Sequence, residues 1–304
     1  MTTMNRMSRT FLLAALFLLP SLLRAQQGGD RFFLREINAA ESALRASSQE
    51  ELSRYRWQWN GTGFSCRNGR GEAGYNSVSV KTLRETKQGE CADLSGADLR
   101  SAWSVSLVID MKYVNLRGAR LRKADLSRAR LVGADLSGAD LSGANLIFTD
   151  LSGAKLTGID LEAAHLRDAT LDRCDLTHAN LAQAQMRRVS LIDAVLSSAT
   201  LSGADLGGGH LVLADFSYAD LSGAKFRSAD MTAAVFRHVQ AANADFTPLS
   251  GGYESNLREA DLTGADLTGA DLKGAVFNRR TRFPFAESEA RSRGARRLPW
   301  EVDY

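Results

Sequence analysis

The sequence predicts an all-β protein whose chain coils around an apolar axis, and two observations predict it. A leucine, or another apolar residue in its place, recurs at every fifth position from Met111 to Phe246 without a slip, which makes 28 consecutive units. Alanine stands two residues before most of these positions, and an Asp or Asn often lies between the two. The stretch GADLSGADLSGANL, from Gly133 to Leu146, shows the pattern in its most regular form.

A period of five excludes the two ordinary regular structures. In an α-helix, at about 100° per residue, the leucines would advance by roughly 140° per unit and scatter around the cylinder. In a flat strand, an odd period would send every second leucine to the opposite face. A short extended step can point the alanine and the leucine inward, and a two-residue corner, often Ser-Gly, can follow it. Repetition of that step coils the chain around an axis lined by alanine and leucine.

These units resemble the pentapeptide-repeat family, whose consensus is A(D/N)LXX, over about 187 residues (91–277). The resemblance implies a right-handed quadrilateral parallel β-helix with four units per coil, so that residues 20 positions apart stack. It therefore implies that Phe216 stacks on Phe236 and Phe226 on Phe246. The aspartates between alanine and leucine would then point outward, where solvation and turn hydrogen bonds explain them.

The repeat register shifts at two places. It slips by two residues between Leu99 and Met111, and by one between Phe246 and Leu257, which indicates an insertion over 247–256. Cys174 replaces an inward alanine, and we expect a buried, unreactive thiol there.

The first 25 residues (1–25) have the features of a secretory signal peptide. Arg6 and Arg9 precede an apolar run of 13 residues, Phe11 to Leu23, and Ala25 offers a cleavage site. The run is too short to cross a bilayer, which takes about 20 residues. We therefore expect an exported protein, periplasmic or secreted, with no transmembrane span after signal removal. An N-terminal core helix is the alternative interpretation.

Two cap regions are predicted to flank the coil. Residues 26–90 are interpreted as a small mixed N-terminal cap, helical at first, with short strands at 56–59 and 74–80 that would pair. Residues 278–304 are interpreted as a basic C-terminal tail or cap with a short helix within 284–297.

Cys66 and Cys91 are a candidate disulfide in an exported chain. It would close a loop of about 25 residues and contribute roughly 3 kcal/mol to stability. Two unpaired thiols are the alternative.

Charge and composition limit the functional classes. The chain has 38 basic and 35 acidic residues, and removal of three signal-peptide arginines leaves 35 of each. A net charge near zero argues against nucleic-acid binding, which needs a concentrated basic footprint. The sequence contains no phosphate-binding Gly-Lys-Ser/Thr loop or nucleophile elbow, and only four histidines. We therefore expect no enzymatic activity, cofactor or metal site.

Two outer surfaces depart from the plain repeat. We call one the basic column; with His165 beside it, it consists of Arg128, Arg167, Arg187, Arg188, Lys225 and Arg227. It could contact an acidic protein, a glycan or an anionic headgroup. The alternative is a charged face that contacts only solvent. The second is a possible apolar patch of Ile192, Val212 and Leu213, since small apolar patches often mark contacts.

The leading functional hypothesis is an exported, non-enzymatic scaffold that binds an unidentified protein or envelope component. One alternative is a topoisomerase-interacting DNA mimic, as the resemblance implies for some intracellular members, but the export signal and neutral charge disfavour it. Another is a surface- or ice-binding β-helix, for which Thr157 and Thr177 make only a short threonine ladder. A hydrolase within 26–90 is disfavoured because that segment has no histidine. The oligomeric state stays open.

Overall fold

The computed structural model describes residues 76–77, 92–94, 96–99 and 110–298, all within the second of two compact units, residues 65–304. The predicted signal peptide, nearly all of the N-terminal cap, and both Cys66 and Cys91 lie outside the described residues.

The coil is a right-handed quadrilateral parallel β-helix, as the resemblance implied. Parallel bridges join outward residues that lie 20 positions apart, for example Asn115 with Asp135 and Asp135 with Lys155. Four five-residue units therefore make one coil, and the 28 unbroken units make seven. Successive coils stack at about 4.8 Å, the spacing of neighbouring strands.

Each corner of the coil is a hydrogen-bonded turn. In the unit around Leu136, the Ala139 N–H donates to the Leu136 carbonyl at 3.0 Å, and the Ser137 N–H donates to Asp135 Oδ1 at 3.1 Å. Gly138, the third turn residue, has a φ of 65°, which is typical of a type II turn. The outward Asp thus caps the corner N–H, and this explains its recurrence.

Other backbone groups pair between coils. Leu136 N–H donates to the Lys155 carbonyl of the next coil at 2.8 Å, and Asp135 N–H donates to the Val114 carbonyl of the preceding coil at 2.9 Å. Because these bonds run along the axis, side chains in one column stay aligned from coil to coil.

The core changes from leucine to phenylalanine towards the C-terminal coils. Phe216 stacks on Phe236 with ring centroids 4.9 Å apart, and Phe226 stacks on Phe246 at 5.1 Å. The two columns meet edge to face at 88°, an arrangement that aromatic pairs prefer. Both predicted stacks are confirmed.

Cys174 points inward, as predicted. Its residue is 1% exposed, and its Sγ donates to the Leu151 carbonyl of the preceding coil at 3.0 Å. Thr149 has the equivalent position in its own unit, two residues before the central leucine, and its hydroxyl donates to the Leu126 carbonyl at 2.8 Å. Burial raises the pKa of the Cys174 thiol, which keeps it protonated.

The two register shifts lengthen single coils without moving the columns. Asp98 bridges Arg120, 22 positions on, and Asp230 bridges Asn256, 26 positions on. The second of these coils is six residues longer than a regular coil of 20. The extra residues form a loop between Phe246 and Leu257. Beyond it the ordinary spacing returns, with Asn256 bridging Val276.

The described strands and the helix lie at the two ends of the coil. Strand β1 (Asn76–Ser77) pairs in parallel with β2 (Ala92–Asp93), while residues 56–59, the partner proposed for 74–80, lie outside the described part. Strand β3 (Val276–Phe277) pairs in parallel with β4 (Arg296–Arg297), and helix α1 (Glu287–Ser292) lies between these two strands in sequence.

The C-terminal segment adds to the last coil. Arg282 bridges Asp261, and β4 lies beside β3, so backbone pairing continues past residue 277. Helix α1 is shorter than the 284–297 segment predicted to contain it, and its Ala290 is fully buried. The Arg293 guanidinium donates to the Leu267 carbonyl at 2.9 Å. The segment thus covers core and satisfies backbone groups at this end.

Within the described ranges, no helix has the length and apolar character needed to cross a membrane.

Candidate interaction surface

The basic column follows one edge of the coil. We call this edge the fourth corner, and it consists of the residue pairs 127–128, 147–148, 167–168, 187–188, 207–208 and 227–228, followed by the loop 247–255. Arg128, Arg167, Arg187, Arg188 and Arg227 lie on this corner. His165 and Lys225 lie on the flat face immediately before it.

Carboxylates within the column neutralise part of its charge. Arg188 donates two hydrogen bonds of 2.7 Å to Asp168 of the preceding coil, and Arg167 lies 3.6 Å from the same carboxylate. The Arg188 hydrogen bond lowers the pKa of Asp168 below its ordinary value. Arg227 lies 3.5 Å from Asp245. The charge available to a partner is therefore smaller than the sequence indicates.

Other cations of the column are less engaged. Among the residues that the structure describes, neither Arg187 nor Lys225 forms an ion pair; Lys225 is exposed and Arg187 is half-buried. Arg128 lies over the Phe148 ring, with its Cζ 5.3 Å from the ring centroid. Within the described part of the column, the Arg187 guanidinium thus has no carboxylate partner.

On the fourth corner, three N–H groups lack the cap that an Asp or Asn supplies in other units; among the described residues, Arg122 and Val212 on other corners lack it too. The three on the fourth corner belong to Arg167, Arg187 and Arg227, and within the described residues none donates a hydrogen bond. The reason is visible two residues earlier in each unit, where His165, Gln185 and Lys225 replace the usual Asp or Asn. Each of these arginines therefore offers a guanidinium and a backbone N–H at the same corner position.

Gly207 separates the second of these arginines from the third. A Cβ there would come within 3.0 Å of Asp205 Oδ1 and 3.9 Å of Arg187 Nε. The glycine accordingly leaves room for the Arg187 side chain, and no side chain at 207 stands between Arg187 and Arg227.

Exposed aromatic side chains lie towards both ends of the fourth corner. Phe148 is 49% exposed, and Tyr253, in the loop, is 88% exposed. The loop is held by Ser228, whose Oγ accepts from the Leu249 N–H at 2.8 Å and donates to the Tyr253 carbonyl. The Ser228 N–H donates to Ser255 Oγ at 2.8 Å. Tyr253 is therefore presented to solvent by a loop with fixed anchor points.

The predicted apolar patch lies on the following corner. Ile192 and Leu213 are each 39% exposed, and Val212 is half-buried. Ile192 and Val212 hold the same position in successive coils, as expected. The Ile192 N–H donates to Asp172 Oδ1 at 3.0 Å, whereas the Val212 N–H on the same corner donates no hydrogen bond within the described residues.

Four aspartates have pKa values displaced below the ordinary value, Asp168, Asp175, Asp261 and Asp266, so they stay ionised rather than act as acids. No group of three or more His, Cys, Asp or Glu side chains among the described residues could hold a metal ion.

The family's sequence profile, pentapeptide repeats, matches eight copies in this chain. The matched residues are 109–146, 144–180, 169–208, 214–247 and 254–279, which together cover more than half of the chain. The chain belongs to the pentapeptide-repeat family. Pentapeptide-repeat proteins are generally non-enzymatic scaffolds.

Several solved pentapeptide-repeat structures are similar to this chain. HetL of the cyanobacterium Nostoc sp. strain PCC 7120, which is involved in heterocyst differentiation regulation, is 33% identical; the match covers 55% of this chain and 89% of HetL, with a TM-score of 0.36. The full-length plasmid-mediated fluoroquinolone resistance protein QnrB1 is 19% identical over 56% of this chain and 94% of its own, with a TM-score of 0.33.

A protein of the Arabidopsis thaliana thylakoid lumen is 25% identical over 51% of this chain and 74% of its own, with a TM-score of 0.15. No curated protein matches significantly. These likenesses carry no argument about function.

Sequence reasoning found the basic column but missed the features that distinguish its corner. The exposure of two aromatic rings was missed because Phe148 stands at a turn position where the repeat allows any residue, and Tyr253 lies in the 247–255 loop, outside the repeat. The uncapped N–H groups were predictable from the sequence, because positions 165, 185 and 225 lack the usual Asp or Asn.

Proposed function

We propose that this pentapeptide-repeat protein is an exported, non-enzymatic scaffold that holds an envelope or extracellular component against its fourth corner. The observation that carries the proposal is the combination of a row of arginines with exposed aromatic rings on that corner. Arg167, Arg187 and Arg227 with their uncapped N–H groups lie there, between the exposed rings of Phe148 and Tyr253. A corner that lines up cationic donors between exposed rings along the coil axis is suited to binding along that edge.

The N-terminal segment supports the exported location. A basic lead, an apolar run from Phe11 to Leu23 and a small residue at Ala25 together have the composition of a cleaved signal.

The chemistry of the coil supports a non-enzymatic role. General acid catalysis needs a carboxyl group whose pKa is raised towards neutrality. The displaced aspartates are shifted the other way by hydrogen bonds and nearby cations, and the Cys174 thiol is buried and protonated.

Export is tested by expressing the full chain in a bacterial host and fractionating the cells. We expect the protein outside the cytoplasm with Gln26 as its first residue, by N-terminal sequencing. A control with Leu16→Arg and Leu18→Arg in the apolar run should remain in the cytoplasm at full length. An unprocessed cytoplasmic wild-type chain would contradict the proposal.

Scaffolding is tested with a photo-crosslinking amino acid in place of Arg187, in living cells. The matched control carries it in place of Ser197, on the opposite corner of the same coil region. We expect adducts from position 187 and few from position 197. Equal yields, or none, would contradict binding at the fourth corner, and an adduct with a topoisomerase subunit would favour the DNA-mimic alternative.

A further inference from the structure

We propose that the fourth corner binds a linear anionic polysaccharide, a chain of uronate-type sugars, laid parallel to the coil axis between Phe148 and Tyr253. This inference rests on the proposed function, because it names the chemistry of the bound component.

The spacing of the arginines suits a polymer with one charge per sugar. Arg167 and Arg187 hold the same position in successive coils, about 4.8 Å apart along the axis, and Arg227 follows two coils later at roughly 10 Å. One six-membered sugar ring in an extended chain is comparable in length to one coil. Carboxylates repeated along such a chain can therefore meet Arg167, Arg187 and Arg227 in register.

Each of these three arginines can supply two donors to an anion. The ligand must compete with Asp168 for Arg167 and with Asp245 for Arg227, at 3.6 and 3.5 Å, but such solvent-exposed ion pairs are weak. A carboxylate oxygen from the ligand can accept the corner N–H, which an Asp or Asn side chain accepts at the capped corners, as Asp205 does for Gly207 at 3.0 Å. The guanidinium can donate to the second oxygen, and such charge-assisted bonds are stronger than neutral ones. Arg188 is excluded from this role because Asp168 already takes its two donors.

The aromatic rings can bound the site at its two ends. Five coils separate Phe148 from the loop that carries Tyr253, about 24 Å along the axis. An exposed ring offers an apolar face to the C–H groups of a sugar, and the Tyr253 hydroxyl adds a polar handle. The distance fits a ligand of about five sugars.

Charge argues for this ligand over a denser polyanion. Asp168, Asp205 and Asp245 lie among the arginines and would repel a closely spaced phosphate backbone. The protein without its signal peptide has equal numbers of basic and acidic residues, whereas nucleic-acid affinity comes mainly from neutralising many phosphates. A line of three sites along one edge also fits a chain better than a flat membrane.

The test measures binding of fluorescent polygalacturonate oligomers to the purified full chain by anisotropy, at low and at high salt. We expect saturable binding that weakens with salt, since partly exposed charges are screened. The double variant Arg167→Gln/Arg187→Gln should lower affinity by roughly tenfold or more, the effect of losing charge-assisted hydrogen bonds. Tyr253→Ala should lower it by a smaller factor.

The matched control is Arg122→Gln, which removes an exposed arginine at the same turn position on a different corner. It should bind like the wild type, and circular dichroism should show all variants folded. An equal loss in Arg122→Gln, or no loss in the double variant, would overturn the site.

Competitors identify the class of ligand. The fully methyl-esterified oligomer, which keeps the sugars and loses the charge, should not compete. Preferred binding to a single-stranded oligonucleotide or to anionic phospholipid vesicles would overturn the polysaccharide proposal. Absence of polyuronate binding together with crosslinking of a protein at position 187 would reject this inference and leave the scaffold proposal standing.

Discussion

The guanidinium of Arg188 and the carboxylate of Asp168 face each other across two successive coils and share two hydrogen bonds of 2.7 Å. This bidentate pair holds one of the column's cations in an internal contact. It also fixes the orientation of the Arg188 side chain, which lies over Gly208, with Cγ 3.4 Å from the position that a Cβ there would take.

Replacing Asp168 should increase anion binding at the fourth corner. In Asp168→Asn the carboxylate is lost and Arg188 becomes available, so polyuronate affinity should rise several-fold. The free energy of unfolding should fall by about 0.2–1 kcal/mol, the usual effect of an exposed pair. Anisotropy and urea titrations measure the two effects, and a drop in affinity would contradict the assignment of Asp168 as an internal competitor.

A glycine at one strained corner should stabilise the coil. Ala163 is exposed and has a φ of 53°, a left-handed conformation that costs an L-residue about 1–2 kcal/mol. Since glycine loses roughly 0.5–1 kcal/mol more than alanine in conformational entropy, Ala163→Gly should raise the free energy of unfolding by about 0.5–1 kcal/mol.

The control for that prediction lies on the next coil at the same corner. Ala182 is the preceding turn residue there and is not left-handed, so Ala182→Gly should destabilise the protein. Urea unfolding of both variants decides the matter, and shifts of the same sign would show that corner strain is not what limits stability.

The stacked phenylalanines should contribute more to the free energy of unfolding than leucines at the same positions would. Phe236→Ala should cost about 3–5 kcal/mol, as expected for a large buried aromatic residue. Phe236→Leu restores the commonest residue of the repeat and should cost about 0.5–1.5 kcal/mol, the value of a lost aromatic pair. Denaturant titration compares the two, and equal losses would mean that the column cannot accept leucine at this coil.

Acidification should destabilise the C-terminal coils through Asp261. Burial would raise the pKa of this carboxyl, but hydrogen bonds from the Thr263 hydroxyl and the Arg237 guanidinium outweigh it and hold the pKa below its ordinary value. A carboxyl with a lowered folded-state pKa stabilises the fold above the unfolded pKa of about 4, and this contribution is lost as the pH falls through the lower, folded value.

Melting temperatures measured from pH 7 down to pH 3 test this sign. The wild type should lose stability most steeply below pH 4, and Asp261→Asn should be less stable at pH 7 and show a smaller further loss. Parallel pH profiles for the two proteins would show that Asp261 does not contribute.

Counting residues was sufficient to predict the columns of this fold. Because a coil contains 20 residues, the stacking of Phe216 on Phe236 and the alignment of Ile192 with Val212 depend only on position in the sequence. The insertion of six residues was also predictable, because Phe246 and Leu257 are separated by one residue more than two five-residue units.

Features that depend on side-chain direction or on non-repeating segments were not predictable in this way. Arg188 and Asp168 are 20 positions apart, but the pattern does not say whether the arginine reaches its neighbour or solvent. The contribution of Arg296–Arg297 to the last coil was missed because the segment lacks the alanine and leucine pattern. The bounds of α1 depend on its packing against the coil end, which short-range propensity does not specify.

The four-unit coil restricts which changes of chain length this protein can accept. Loss or gain of one unit between Leu191 and Leu221 would rotate everything after it by a quarter turn, and Arg227 would then face away from Arg167 and Arg187. Only multiples of 20 residues, or loops confined to a corner as at 247–255, leave the edges in register. Lineages of this protein should therefore differ in length by whole coils or by corner insertions, and single-unit deletions should be tolerated as folds yet lose whatever the fourth corner binds.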